Sequence, residues 1–394
     1  MTPKANRWQL PDGVDEVLPP RALQLEILGR EILDLFGTWG YDLIKTPLIE
    51  FLESLHIVPS AELQLSTFTL VDQLSGRTMG VRSDITSQVA RIDAHVLQNT
   101  HPTRLCYADT VLRTRPKGQL GSRCPRLAGA ELYGYPDIEG DLEIISLMLH
   151  SLRLAGIEQP LLALGHSSIC RELLLAAQLP PNDAAELFEA LQNKATTDID
   201  RLLRQHSLPA SLSECLRRLP TLHGDASVLT IARSLFKQSG GGVQAAIDQL
   251  ENLAASIRLR FPGQQIFLDL CELRGYDYHT GVIFSAYVEG HGEAIANGGR
   301  YDGIGAGFGR ARPATGFDTD LLTLLSLSKR EFHAPDLIYA PSAEDAALSR
   351  KIAELRHTGY RIVQAFPGQQ DQPAALGCNK QLVQDGSGWK VTAV

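Results

Sequence analysis

The residues best suited to chemistry lie between two apolar runs, in the stretch ELRGYDYHTGVIFSAY at positions 272–287. Arg274, Tyr278 and His279 lie within six residues of one another, where a loop is expected to meet a strand. Guanidinium groups pair with carboxylates, and phenols and imidazoles donate and accept hydrogen bonds. Taken alone, the stretch is also typical of a turn with exposed aromatic rings and an arginine paired to a neighbouring carboxylate.

A second group of polar residues favours a binding site. Asp84 and Thr86 follow Arg82 at a predicted strand end, and Glu131 stands in the middle of the apolar strand AGAELYG. Because a buried carboxylate without a partner is costly, Glu131 is expected to have one. Carboxylates and tyrosines suit a cationic amino group and a small polar ring, and arginines suit a carboxylate. The two groups together predict a pocket for a free amino acid.

Each candidate has a structural alternative that the sequence leaves open. Asp84 is suited to cap the helix that follows it. Arg113, in the run VLRTRP, is suited to pair with a carboxylate of the core. His279 is suited to be a strand residue with a satisfied hydrogen bond and no ligand.

Several common sites are excluded by spacing. The glycines near position 305 do not form a G-x-G-x-x-G run, and no Lys-Ser or Lys-Thr pair follows them to make a phosphate loop. The segment GHSSI lacks the last glycine of a nucleophile elbow. The six cysteines form no Cys-x-x-Cys pair, and no His-Glu-x-x-His run occurs. We therefore predict no metal, no cofactor and no disulfide framework.

The composition indicates a globular chain of two or three domains. It has 394 residues, 44% of them apolar, and a formal net charge of −8, so no overall basic surface points to nucleic acid. The sequence contains no run of 18 apolar residues, so no membrane span is predicted. The start MTPKANRWQLPDG lacks the apolar stretch of a signal peptide, which predicts a cytoplasmic protein.

The elements that must position these residues have an α+β pattern. Strands dominate before position 135 and again over 265–310, with helices between, as expected for an antiparallel sheet with flanking helices. YDLIKTPLIEF predicts one edge strand, TFTLVD and TMGVRSD a hairpin, and DTDLLTLLSL a helix. A single helix is expected after Asp84, through about Leu97.

We expect three parts along the chain. A core comprises residues 1–168 and 262–330. Leucines at helical spacing predict an all-helical insertion over 169–261. A small αβ tail follows over 331–394.

Five ordered segments make the chain similar to the histidyl-tRNA synthetase family along most of its first 330 residues. The segments are PDGVDEVLPP with WGYDLIKTPLIE, VRSDITSQVARI, RLCYADTVLRTRP with RLAGAELYG, ELRGYDYHTGVIF, and ANGGRYDGIGAGFGRARPATGF. The resemblance implies the class II aminoacyl-tRNA synthetase-like fold, with a dimer built around the first of these segments.

The chain departs from the synthetase pattern where ATP would be held. Arg113 matches the motif arginine, but no glutamate stands two places after it. Thr323 occupies the position of the phosphate-gripping arginine, and no arginine lies between 313 and 329. Leu127 replaces a glutamine expected four residues before Glu131. The 64 residues after Arg330 are too few for the family's anticodon-binding domain, and they carry six basic against seven acidic residues.

These departures make the chain resemble the regulatory-subunit family of ATP phosphoribosyltransferase, a catalytically silent relative of the synthetases. The resemblance implies a short-form catalytic subunit as partner, in a hetero-octamer of four plus four chains. It implies that the chain activates this partner in the first step of histidine biosynthesis and confers feedback inhibition by free histidine. It also implies no tRNA and no membrane among the partners.

The resemblance further implies a histidine pocket. Its residues are Asp84 and Thr86 for the amino group, Arg113 and Arg274 for the carboxylate, and Glu131, Tyr278 and His279 for the imidazole ring. Two other functions remain open: a divergent but active histidyl-tRNA synthetase, and an amino-acid sensor that serves a different client protein.

Overall fold

The computed structural model describes residues 8–57, 61–118, 121–273, 279–332, 335–368, 372–386 and 388–394. The chain divides into two compact units, Met1–Arg330 and Glu331–Val394. Two of the predicted site residues, Arg274 and Tyr278, lie outside the described residues.

The strands form one large sheet, one small sheet in the first unit, and one sheet in the second unit. In chain order they are β1 Asp42–Leu43, β2 Ile49–Phe51, β3 Phe68–Val71, β4 Thr78–Val81, β5 Thr103–Thr110, β6 Arg126–Tyr133, β7 Leu161–His166, β8 His223–Gly224, β9 Ile266–Asp269, β10 Val282–Tyr287, β11 Ala296–Arg300, β12 Ala314–Asp320, β13 Leu337–Ala340, β14 Arg361–Gln364, β15 Lys380–Asp385 and β16 Gly388–Ala393.

The α-helices flank the sheets and fill the stretch between β7 and β9. They are α1 Arg21–Thr38, α2 Leu52–Leu55, α3 Ala61–Ser66, α4 Thr86–Arg91, α5 Ile138–Leu154, α6 Ser167–Ala177, α7 Pro181–Gln192, α8 Thr196–Gln205, α9 Ala210–Arg218, α10 Ser227–Leu235, α11 Gly241–Arg260, α12 Leu321–Leu327 and α13 Ala346–His357.

The large sheet confirms the α+β prediction. Its nine strands run in the order β1-β5-β6-β12-β11-β10-β7-β9-β8. The neighbouring pairs are antiparallel except for β1 with β5 and β7 with β9, which are parallel. The sheet is therefore mixed at its two ends and antiparallel through its centre, where β6 and β12 lie side by side.

One face of the sheet centre is covered by helices. Helix α1 buries Leu28, Ile32 and Phe36 at helical spacing, and the ring of Phe36 packs edge-on against Phe317 of β12 at 5.9 Å between centroids. Strand residues alternate between faces, so the neighbours of Phe317 on β12 point to the opposite face. That opposite face carries the candidate site.

Two local predictions were wrong in detail. YDLIKTPLIEF is not one strand, because β1 and β2 are separated by the segment Ile44–Leu48, whose Thr46 carbonyl accepts a hydrogen bond from buried Arg82 at 2.8 Å. The helix after Asp84 is not uniform: α4 ends at Arg91 and a π-helical segment, Ile92–Leu97, continues it. The predicted hairpin of β3 and β4 is present.

The region between β7 and β9 is helical except at one point. Helices α6 to α11 occupy most of it, beginning at Ser167. The short strand β8 interrupts them and pairs antiparallel with β9, so this region also extends the large sheet. An all-helical insertion was therefore wrong for residues 223–224.

Strand β12 was not predicted from the sequence. The segment DTD was assigned to a helix, but residues 314–320 form a central strand and α12 begins only at Leu321. Asp320 accepts a hydrogen bond from the backbone nitrogen of Leu322 at 3.1 Å and so caps this helix.

The second unit is a small αβ structure. Its sheet has the order β14-β13-β15-β16, and β13 is parallel to both of its neighbours. Helix α13 packs on the sheet through Leu348, Ile352 and Leu355. Asp345 caps this helix by accepting a hydrogen bond from Ala347 N at 2.7 Å.

Candidate functional site

The candidate site is centred on Glu131, which β6 places on the sheet face opposite α1. Its side chain is buried, with 1% of the residue exposed. One carboxyl oxygen accepts hydrogen bonds from Thr86 Oγ1 at 3.1 Å and from the Tyr107 hydroxyl at 3.2 Å. The other oxygen accepts a hydrogen bond from the Tyr301 hydroxyl. Three hydroxyls from three separate elements thus converge on one carboxyl group.

A glycine on the neighbouring strand makes room for this carboxyl group. Gly316 of β12 is paired with Glu131 across the sheet. A Cβ atom at Gly316 would overlap the Glu131 Oε2 atom and would lie 2.5 Å from the Tyr301 hydroxyl. Any side chain at this position would therefore displace the carboxyl group or the hydroxyl that binds it.

The environment disfavours a charge on Glu131 when no ligand is bound. Burial raises the pKa of Glu131 well above its usual range, and the negative charge of Asp84 raises it further. The hydrogen bonds from Thr86 and Tyr107 oppose this rise. A cationic or hydrogen-bond-donating ligand would offset the same cost, so the site favours such a ligand.

Asp84 and Thr86 lie beside Glu131 at the start of α4, as the sequence predicts. Both are half-buried. The Asp84 carboxylate accepts a hydrogen bond from the backbone nitrogen of Ile85 at 2.8 Å. Ile85 is the N-cap residue of α4 and makes no side-chain cap, so Asp84 does not cap the helix. Its carboxylate instead contributes negative charge to the site.

Arg113 follows β5 and lies at the same edge of the site. Its Nε donates a hydrogen bond to the carbonyl of Ser83 at 3.2 Å, next to Asp84. Burial raises the pKa of Asp318 on β12, while the positive charges of Lys117 and Arg113 oppose the rise. Asp318 is paired with Gly129, two residues from Glu131, so a second carboxyl group lies close to the central one.

His279 lies at the opposite side of the site, just before β10. It is 8% exposed. A Cβ atom at Gly299 of β11 would lie 2.7 Å from the His279 Nε2 atom, so the imidazole lies directly over that glycine. The His279 and Tyr301 rings are 6.5 Å apart between centroids. His279 is thereby brought next to the tyrosine that donates to Glu131.

The structure brings together five of the seven predicted residues, namely Asp84, Thr86, Arg113, Glu131 and His279. Sequence reasoning missed Tyr107 and Tyr301, although these two supply hydroxyl groups to Glu131. Tyr107 pairs with Gly129, two residues from Glu131, so its side chain lies on the same face of the sheet as Glu131. The sequence alone does not show that β5 pairs with β6 in this register.

The positions that depart from the synthetase pattern are occupied by structural contacts. Thr323 Oγ1 donates a hydrogen bond to Asp320 at 2.9 Å, within the first turn of α12. Leu127 is 2% exposed and packs in a buried cluster with Ile85 and Tyr107. Neither side chain presents a charge to the site.

Two further kinds of feature, a metal site and a membrane span, concern the described residues. Across the described ranges, no group of three or more His, Cys, Asp or Glu side chains could hold a metal ion. None of the helices in the described part of the chain is long and apolar enough to cross a membrane.

Comparison with known families gives two matches. Residues 13–324 match the family "Histidyl-tRNA synthetase", and residues 335–392 match "ATP phosphoribosyltransferase subunit HisZ C-terminal domain". The ATP phosphoribosyltransferase regulatory subunit of Thioalkalivibrio sulfidiphilus is 49% identical over 390 residues, covering 98% of this chain and 99% of that protein. The regulatory subunit of Alkalilimnicola ehrlichii is 49% identical over 389 residues, covering 98% and 97%.

Solved structures agree with this fold. An ATP phosphoribosyltransferase regulatory subunit/histidyl-tRNA synthetase from Bacillus halodurans superposes with a TM-score of 0.83 at 26% identity, over 95% of this chain and 97% of that one. Histidyl-tRNA synthetase from Nostoc superposes with a TM-score of 0.77 at 18% identity, over 98% and 97%. The second likeness concerns the fold alone.

Proposed function

Because this chain belongs to the family of ATP phosphoribosyltransferase regulatory subunits, we propose that it binds free histidine at the Glu131 site and thereby sets the activity of the catalytic subunit. In the absence of histidine it activates the catalytic subunit. When histidine is bound, the chain inhibits the catalytic subunit. Histidine can act in this way only if it binds two states of the complex with different affinity, and a coupling of about 1–3 kcal/mol is sufficient.

The observation that supports histidine is the group of hydroxyls around Glu131. Thr86, Tyr107 and Tyr301 hold the carboxyl group in one orientation, ready to accept an N–H from an imidazole ring. Asp84 carries the negative charge that suits an ammonium group. Arg113 is placed to meet the ligand carboxylate. Arg274 and Tyr278 remain proposed members of the pocket from the sequence alone.

We propose that the chain has no catalysis of its own. Formation of an aminoacyl adenylate needs positive groups against the phosphates of ATP, and Thr323 stands where the synthetase family has an arginine. Removing one preorganised contact to developing charge costs roughly 10²–10³ in rate. Histidine-dependent ATP–pyrophosphate exchange should therefore be absent, and its presence would favour the synthetase alternative.

For the assembly we propose four copies of this chain with four catalytic subunits, built on a dimer of this chain. Leu43, Leu48 and Ile49 expose 45%, 51% and 42% of their surface in the first-motif segment, which suits a self-association surface. The second unit carries no net basic charge to attract RNA, so tRNA is not a partner. The six free cysteines suit a cytoplasmic location.

Calorimetric titration with histidine tests the binding site. We expect the wild-type protein to bind histidine and Glu131→Ala to lose at least tenfold in affinity, because the imidazole N–H loses its acceptor. Glu53→Ala is the matched control, since Glu53 is an exposed carboxylate of the same unit that pairs with Arg77. Equal affinities for wild type and Glu131→Ala, with both proteins folded by circular dichroism, would disprove the assignment.

A further inference from the structure

Helix α6 contacts the backbone beside the candidate site through three side chains. Ser167 Oγ donates to the Gly281 carbonyl at 3.1 Å, Ser168 Oγ to the Thr280 carbonyl at 3.4 Å, and Arg171 to the His279 carbonyl at 2.5 Å. Three consecutive carbonyls thus receive donors from one helix. We call Ser167, Ser168 and Arg171 the α6 clasp.

The segment that the α6 clasp holds is also fixed by the large sheet. The backbone nitrogen of Thr280 donates to the Arg300 carbonyl at 2.7 Å, and the Thr280 hydroxyl accepts from Asp302 N at 2.9 Å. The ring of His279 lies over Gly299 and near Tyr301, which donates to Glu131. A continuous series of contacts therefore runs from α6 through His279 to the central carboxyl group.

The first turn of α6 is in turn joined to the long helix α11. His166 is the N-cap of α6, and its Nδ1 accepts a hydrogen bond from the backbone nitrogen of Ser168 at 3.2 Å. Its Nε2 therefore carries the ring proton and donates to Gln249 of α11 at 2.7 Å. Burial lowers the pKa of His166 to about 4, so this neutral tautomer persists at physiological pH.

We propose that the α6 clasp positions His279 for ligand contact and couples histidine occupancy to helices α6 and α11. The clasp residues are positioning residues, because they contact the backbone of the segment and not the ligand. The coupling is reciprocal: whatever fixes α6 and α11 favours the histidine-bound arrangement of His279. This inference rests on the proposed histidine site and adds the route by which the helical region senses it.

An open cleft adjoins the clasp. It has a volume of about 720 Å³ and is lined by Ser168, Glu172 and Gln249 on one wall and by Asp137 and Asp302 on the other. Thr280 and Gly281, whose carbonyls the clasp binds, also line this cleft.

The test measures histidine affinity and amide hydrogen exchange on four proteins: wild type, Arg171→Ala, Arg171→Lys and Ser168→Ala. Arg201→Ala is the matched control, because Arg201 lies on α8 of the same helical region and pairs with exposed Glu186. In the wild type we expect histidine to slow exchange across α11 as well as in β6. In Arg171→Ala we expect about a tenfold loss of affinity, as for one lost charged hydrogen bond, together with loss of the effect on α11.

The variants separate positioning from folding. Arg171→Lys keeps a hydrogen-bond donor, so it should recover part of the histidine affinity and part of the histidine effect on α11. Ser168→Ala removes only one hydroxyl group and should lose less affinity than Arg171→Ala. Unchanged affinity and an unchanged histidine effect on α11 in Arg171→Ala would overturn the coupling alone. Failure of the wild type to bind histidine would overturn the proposed function and the coupling with it.

Discussion

At the scale of single residues, the candidate site is centred on one buried carboxyl group, that of Glu131. Glu131 lies on a strand whose other residues from Leu127 onward are apolar, aromatic or small, and the hydroxyls around it come from three different parts of the chain. A buried ionisable group usually lowers stability relative to an apolar residue of similar volume. Its presence here is consistent with the proposed role in binding histidine.

Replacing Glu131 by glutamine should stabilise the ligand-free protein increasingly as pH rises. Burial raises the pKa of Glu131 in the folded state, so the folded protein holds a proton that the unfolded chain releases above about pH 4.3. The wild-type free energy of unfolding then falls as pH rises, by up to about 1.4 kcal/mol per pH unit from this group. The free energy of unfolding of Glu131→Gln does not fall in this way, because glutamine does not titrate.

Urea unfolding of both proteins at pH 5 and pH 8, without histidine, measures the effect. The difference in unfolding free energy between the variant and the wild type should be larger at pH 8. A difference that is equal at the two pH values would mean that Glu131 has an ordinary pKa in the folded state.

The sequence predicted some site residues and not others, for a physical reason. Glu131, Asp84 and Thr86 are conspicuous as polar residues in or beside apolar strands. In the sequence, Tyr107 is one more aromatic residue of a strand, and Tyr301 is one that follows a strand. Only the pairing of β5 with β6, and the position of the residue after β11, bring them to Glu131. Their roles depend on contacts between residues far apart in the chain, which periodicity does not encode.

At the scale of elements, buried ion pairs fix the segments that local pattern leaves undetermined. Asp93 lies in the π-helical segment after α4, where a regular helix was expected. It is 2% exposed and pairs with Arg312 at 2.8 Å, and Arg312 also donates to the His101 carbonyl at 2.7 Å. The partner lies 219 residues away in sequence, so the irregular segment could not be predicted locally.

Replacing Arg312 by methionine should destabilise the protein by about 3–5 kcal/mol, because it removes the ion-pair partner of the buried Asp93. Denaturant unfolding measures this change. The double variant Asp93→Leu/Arg312→Met should recover most of the loss. Arg30→Met is the control, since its pair with Asp34 is exposed and contributes little to stability. A single Arg312 variant as stable as the control would contradict this account.

Strands and helices differed in how well the sequence predicted them. The β3–β4 hairpin and helix α5 follow their apolar periodicity and were expected. Strand β12 was not, because ATGFDTD mixes small, apolar and acidic residues and has no clear alternation. Asp318 lies near Glu131 and Asp320 caps α12, and the segment DTD was assigned to the helix that follows it.

At the scale of the whole molecule, the first-motif segment WGYDLIKTPLIE exposes apolar side chains, which suits the proposed self-association. Leu48 exposes 51% of its surface between β1 and β2. A cluster of exposed apolar residues is typical of a surface that contacts another chain. The proposed dimer would cover this segment.

Leu48→Glu should therefore shift the protein from dimer to monomer, because a charge would be buried in the interface. Sedimentation velocity measures the state at several protein concentrations. Leu259→Glu is the control, since Leu259 is 83% exposed on α11, outside the first-motif segment. A dimer that tolerates Leu48→Glu as well as Leu259→Glu would place the interface elsewhere.

The central claim is that this chain turns a histidine concentration into the activity of another subunit. The most direct test is the rate of phosphoribosyl-ATP formation by the short-form catalytic subunit, alone and with this chain, across a histidine titration. We predict that the chain raises the rate, that histidine then lowers it, and that Glu131→Ala keeps the activation but loses the response to histidine. A rate that this chain leaves unchanged at every histidine concentration would contradict the account.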